Sequence, residues 1–129
     1  MKILNLFALL CLLLYSCSKK STPSSAPMQI QVSGLSSKTS LSLVVTDNSY
    51  GSQNIVLSIS NQFGDQTYST QPVNPGDQLY ITFSTNIQDD QVGDGVGELK
   101  FFFKGEQMGG TGIAQGIIPG NIHETVPQP

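Results

Sequence analysis

From residue 28 onward, apolar side chains recur at every second position. Met28, Ile30 and Val32 are separated by Gln29 and Gln31. Leu41, Leu43 and Val45 flank Ser42 and Val44, and Ile55, Leu57 and Ile59 flank Val56 and Ser58. Leu79, Ile81 and Phe83 enclose Tyr80 and Thr82, and Leu99, Phe101 and Phe103 enclose Lys100 and Phe102. Successive side chains of a strand point to opposite faces, whereas a helix repeats every 3.6 residues. Runs of this kind therefore predict half-buried antiparallel strands with these residues as the core. No stretch of ten or more residues after Cys17 carries a helical period. The chain is thereby restricted to all-β layers: a sandwich or a small barrel.

Turn chemistry falls between the runs. Asp47-Asn48-Ser49-Tyr50-Gly51 separates the second from the third, and Asn61-Gln62-Phe63-Gly64-Asp65 follows the third. In Asn74-Pro75-Gly76-Asp77 the proline presets φ and the glycine supplies positive φ, which specifies a type II turn. Lys104-Gly105 closes the phenylalanine run. Residues 66–73, carrying Tyr68, are more polar and predict an edge strand, and a last short strand is expected through Ile113 or through Ile117-Ile118. Gly109-Gly110-Thr111-Gly112 reads as a flexible turn, since it lacks the lysine and the following helix of a phosphate-binding loop.

Val73-Asn74-Pro75-Gly76-Asp77-Gln78-Leu79 resembles the V-x-P-G-D stretch that leads into a central strand of many secreted sandwich domains. With about six to eight short strands in about 100 residues, the expected fold is an immunoglobulin-like antiparallel β-sandwich, a small β-barrel being the alternative. A domain of this length buries one modest core without needing a covalent staple.

The overall composition, 38% hydrophobic and 12% charged with net charge −3, averages two unlike pieces. Residues 1–17 begin with Lys2 and continue through an apolar run at 3–14 interrupted only by Asn5. Twelve helical residues span about 18 Å, short of a hydrocarbon core about 30 Å thick. A charged start followed by a short apolar run has the layout of a secretory signal rather than of a membrane span. Its end, Leu14-Tyr15-Ser16-Cys17, resembles the lipobox of bacterial lipoproteins, with Tyr15 in place of the usual small or branched residue. That resemblance, of Bacteroidota-like type, implies cleavage after residue 16 and a covalent diacylglycerol and N-acyl lipid on Cys17. Two or more acyl chains give stable membrane attachment. Cys11 leaves with the signal, so the mature chain is expected to hold neither a free thiol nor a disulfide.

The expected organisation is thus a signal peptide at 1–16, a lipidated Cys17 with a Ser/Pro/Lys tether at 17–27, and a sandwich domain at 28–129. Ten residues of flexible coil average roughly 17 Å end to end, which keeps the domain near the bilayer. Lys19 and Lys20 solvate the tether or meet anionic headgroups, at about 1 kcal/mol each. Surface export in lipoproteins of this type is linked to acidic residues after the cysteine. The basic tether therefore points to the periplasmic face, and Ser18 after the cysteine is compatible with sorting to the outer membrane; the expected protein is lipid-anchored there.

Residues 28–129 retain all nine acidic groups but only Lys38, Lys100 and Lys104, a domain charge of 3 − 9 = −6. With pI near 4.7 and no arginine, nucleic acid is excluded as a partner, because phosphate neutralisation needs clustered cations. Asp89, Asp90, Asp94 and Glu98 offer hard oxygen ligands for Ca²⁺. An EF-hand loop starting at Asp90 fails, however, with Val92 at its third position and Phe101 at its twelfth. We read the segment as a solvated Asp/Gly connection and expect no metal or dissociable cofactor.

No catalytic motif of the common hydrolases or phosphate binders occurs, and the single histidine, His123, lies beside Glu124 near the C-terminus, where a tail is expected. A non-enzymatic role follows. Alternation sends Phe102 and Tyr80 outward; if their strands pair, the two rings form an exposed platform for a sugar or a partner protein. The competing arrangement is that the tail or the tether covers Phe102. The expected function is therefore binding of a macromolecular partner at the cell envelope, an envelope protein or a glycan. The alternatives are a glycan-binding accessory of polysaccharide uptake and a purely structural envelope component.

Overall fold

The computed structural model describes residues 23–87, 97–113 and 119–128. They form eight strands: β1 (Ala26–Ser33), β2 (Thr39–Asp47), β3 (Asn54–Phe63), β4 (Gln66–Val73), β5 (Gln78–Ile87), β6 (Gly97–Phe103), β7 (Glu106–Ile113) and β8 (Gly120–Thr125). One 3-10 turn, Ser49–Gly51, lies between β2 and β3. The strands make two unclosed antiparallel sheets, β4-β1-β6-β7 (sheet A) and β3-β2-β5-β8 (sheet B). The expected antiparallel sandwich is what forms, and the open sheets rule out the barrel. In strand order, β1 and β2 lie in different sheets, whereas the A-B-E-D sheet of an immunoglobulin constant domain holds its first two strands together.

The alternation fills the space between the sheets. Met28, Ile30, Leu99 and Phe101 from sheet A meet Leu43, Val45, Leu79 and Ile81 from sheet B, all with essentially no solvent exposure. The third run departs from simple alternation. Val45 pairs with Leu57 but Thr46 pairs with Ile55, so Val56 is an extra residue, a β-bulge. The bulge buries Val56 and turns Ile55 out to 61% exposure, reversing the expectation for Ile55. A second irregularity in the same strand pair keeps Asn61-Gln62-Phe63 inside β3, with Asn61 at φ 52 and its N–H donating to Ser42 Oγ at 3.2 Å. The turn itself is only Gly64-Asp65.

Other local expectations hold. Asp77 N donates to Asn74 O at 3.0 Å and Gly76 has φ 92, as a type II turn requires. Lys104 and Gly105 have φ 51 and 85, the paired positive values of a type I′ hairpin turn. β4 is an edge strand. β7 runs through Ile113 but is not the last strand, since β8 follows it at Gly120–Thr125; Ile117-Ile118 lies outside the described residues. Gly109 to Gly112, expected as a flexible turn, instead lie inside β7, where they pair with β6. His123 is likewise on a strand, β8, rather than in a tail.

Two proline rings face each other where β1 meets β4: Pro27 pairs with Pro72. Neither carries an N–H, and the ladder shifts register at this point. The buried Met28 N–H is satisfied by Thr70 Oγ1 at 3.0 Å, while the Thr70 hydroxyl donates to Gln71 O at 2.6 Å. Thr70→Val keeps the side-chain shape but removes that acceptor. We expect a loss of about 1–3 kcal/mol in urea unfolding, with an unchanged m-value.

Candidate functional site

Strand pairing decides which outward side chains share a surface. On sheet B, Thr46 pairs with both Ile55 and Tyr80, and Tyr80 pairs with His123. Ile55, Thr46, Tyr80 and His123 therefore form one row across β3, β2, β5 and β8. The Tyr80 and His123 rings stack with centroids 4.4 Å apart and planes 17° from parallel. Beside this row, Thr125 Oγ1 donates to Gln78 Oε1 at 3.2 Å. Because the stacked rings turn faces toward each other, part of each aromatic surface is already covered.

Phe102 lies on the other sheet. β6 pairs with β1 and β7, never with β5, so the condition for a joint Tyr80–Phe102 platform is not met. The two rings are on opposite outer faces of the sandwich. Phe102 is half-buried in a depression of about 300 Å³ lined by Gln29, Gln31, Thr67 and Gly105. These side chains are brought together by register: Gln29 is opposite Phe102, and Gln31 is opposite Thr67. One step along the same face, Lys100 Nζ meets Glu98 Oε2 at 2.9 Å. The depression thus presents one aromatic ring among carboxamides and a hydroxyl. These groups act as hydrogen-bond donors and acceptors without fixed charge.

Of the proposed metal ligands, only Glu98 is described; it is exposed and paired with Lys100. Asp89, Asp90 and Asp94, like the lipidation candidate Cys17, lie outside the described residues. Among the described residues no three His, Cys, Asp or Glu side chains are grouped to hold a metal ion.

A further site was missed by sequence reasoning. Glu124 is opposite Leu79 on β8 and so points toward the inner side of the sandwich, unlike its neighbour His123. Its carboxylate occupies the space where a side chain at Gly109 of β7 would begin, closing the gap between the two sheet edges. Gly110 is equally constrained, since a Cβ there would meet Leu99 O at 2.7 Å. The glycines serve close approach, not turning. Desolvation raises the Glu124 pKa above the ordinary 4.5, with the nearby His123 pulling it back. A carboxyl held protonated longer in the folded chain contributes stability that is complete below 4.5 and is lost as pH rises through the raised folded value. Glu124→Gln should therefore match the wild type in acid and gain on it as pH increases beyond that window. Paired thermal melts across pH read this difference directly.

No known protein family, curated protein or solved structure matches this chain. The fold itself defines the class: a two-sheet antiparallel β-sandwich with one outer face centred on Phe102 among polar side chains and one outer face carrying exposed Ile55 and Tyr80 in a mixed row.

Proposed function

We propose that this protein is a non-catalytic, lipid-anchored lipoprotein of the bacterial cell envelope whose sheet A binds a glycan chain. The observation that carries the ligand is the Phe102 depression. A sugar presents an apolar ring face bordered by hydroxyls, which suits an aromatic ring bordered by Gln29, Gln31 and Thr67. Its volume of about 300 Å³ is at the small end of ligand sites, enough for about one sugar unit of a longer chain. Protein hot spots, by contrast, favour Trp, Tyr and Arg, and this face offers none of them. The anchor rests on the signal layout and on Leu14-Tyr15-Ser16-Cys17. The basic tether supports a periplasmic position, and Ser18 after the cysteine supports sorting to the outer membrane.

Affinity electrophoresis of the full chain against a polysaccharide panel tests the ligand. Retardation by at least one polymer is expected, with Phe102→Ala weakening it about tenfold, equivalent to about 1.4 kcal/mol. No retardation on any polymer, together with a protein captured from envelope extracts and lost with Phe102→Ala, assigns the face to a protein partner instead. The anchor is checked separately. Cys17→Ser should abolish acyl labelling and release the chain from the membrane fraction, and unchanged labelling would sink the assignment of Cys17.

A further inference from the structure

The tether enters the sandwich at one particular end. Ala26, the first residue of β1, pairs with Val73, and a single turn carries the chain from Val73 into β5. At the start of β5 the Gln78 N–H donates to Ser49 Oγ at 2.9 Å, and Asn48 N donates to Gln78 O at 2.9 Å. The 3-10 turn Ser49–Gly51 is therefore at the same end as the tether. So is the β6–β7 turn, where Lys104 Nζ donates to Ser24 Oγ at 3.4 Å.

The exposed large hydrophobic side chains of the described residues gather at this end: Tyr50 at 94%, Ile55 at 61% and Tyr80 at 44%. Ile55 and Tyr80 are the exposed hydrophobic members of the sheet B row, and Tyr50 stands just beyond it in the turn. Tyr50 also has φ 59, a left-handed conformation usual for glycine or asparagine. A tyrosine held there with its ring almost wholly in solvent has no packing reason inside the domain. The far end is different in character, with Ser37, Lys38, Asp65 and Gln66 exposed.

We propose that this tether-proximal corner of sheet B rests on the phospholipid bilayer, with Tyr50 and Ile55 in the interfacial layer and Lys104 near the headgroups. The contact rests on the lipid-anchored reading given above and adds a second point of attachment to it. Length supports the occupant. Five residues lie between Cys17 and Pro23, six chain steps with a reach of at most about 22 Å, shorter than the roughly 34 Å of a ten-residue strand such as β5. The acyl chains thus hold this end of the sandwich, and not the far end, beside the membrane, and the exposed apolar side chains select the sheet B corner of it. Chemistry supports it too: tyrosine favours the membrane–water boundary, where its ring is apolar and its hydroxyl wet. Lys104 places a cation at that end within an otherwise acidic domain. With this corner held down, the Phe102 face of sheet A remains open to a ligand.

The chain contains no tryptophan, so a single introduced one is an unambiguous reporter. Full-length, acylated Tyr50→Trp and Ser37→Trp variants would be reconstituted into phosphatidylcholine vesicles carrying a headgroup nitroxide lipid. Blue-shifted, strongly quenched emission is expected from Tyr50→Trp and water-like, weakly quenched emission from Ser37→Trp. Adding Ile55→Asp should reduce the Tyr50→Trp quenching at least twofold while the chain still floats with the vesicles. Equal quenching of the two reporters, or none at Tyr50→Trp in an acylated, floating chain, overturns the contact alone. A blue shift that follows protein concentration rather than lipid makes the corner an interface between copies and also overturns it. A chain that carries no acyl group and does not float removes the anchor and this contact together.

Discussion

The dry layer between the two sheets is the constraint on which the rest of the structure depends. Phe101, Met28 and Ile30 from one sheet and Leu41, Leu43 and Ile81 from the other are sealed from water. No disulfide among the described residues reinforces them. The hydrophobic term must then come from strict facing of side chains, because a strand slipped by one residue exposes its whole apolar set. That requirement in turn fixes every outward position, including those of Tyr80, His123 and Phe102.

Where strict alternation fails, an identifiable local device takes over. Opposed prolines at 27 and 72 remove two donors, and Thr70 supplies an acceptor to the stranded Met28 N–H. The bulge at Val56 reverses parity and places Ile55 on the outer surface. Asp77, buried beside the Pro75-Gly76 turn, accepts from Asn74 N at 2.7 Å through Oδ2, and its carbonyl accepts from Val126 N at 3.0 Å. Gly76 N donates back to Val126 O at 2.8 Å. One turn thereby closes its own loop and pins the segment that follows β8, so Val126 is fully buried.

These placements give the two outer faces different chemistry. Sheet A carries Phe102 amid Gln29, Gln31 and Thr67, hydrogen-bonding groups around one ring. Sheet B carries exposed Ile55 and Tyr80 at the end where β1 begins. Sheet edges are handled differently again: Glu124 bridges the gap beside β7, and glycines at 109 and 110 leave it room.

Much of the fold was legible in the sequence because it is local. Period-two runs named twelve of the seventeen buried apolar residues among those described, missing Leu35, Val56, Val73, Ile113 and Val126, while of those they named Ile55 is exposed and Leu57 and Ile59 are half-buried. Pro75-Gly76 and Lys104-Gly105 named their turns from backbone sterics alone. The candidate sites were less legible because they depend on which distant strands pair. Nothing in the alternation of Leu79 to Phe83 or of Leu99 to Phe103 states that β5 and β6 belong to different sheets. The separation of Tyr80 from Phe102 is therefore a tertiary decision. β8 escaped notice because Ile122 is its one apolar residue among Gly120 to Thr125, and Asn121, His123 and Thr125 are exposed; pairing with β5 orders it more than its own hydrophobicity. By itself the sequence determined which side chains turn inward and where the chain reverses, since both follow from the geometry of one strand or one turn. Only the tertiary structure decided which outward side chains meet, because neighbours across a sheet are set by non-local hydrogen bonding and by the bulges that shift its register.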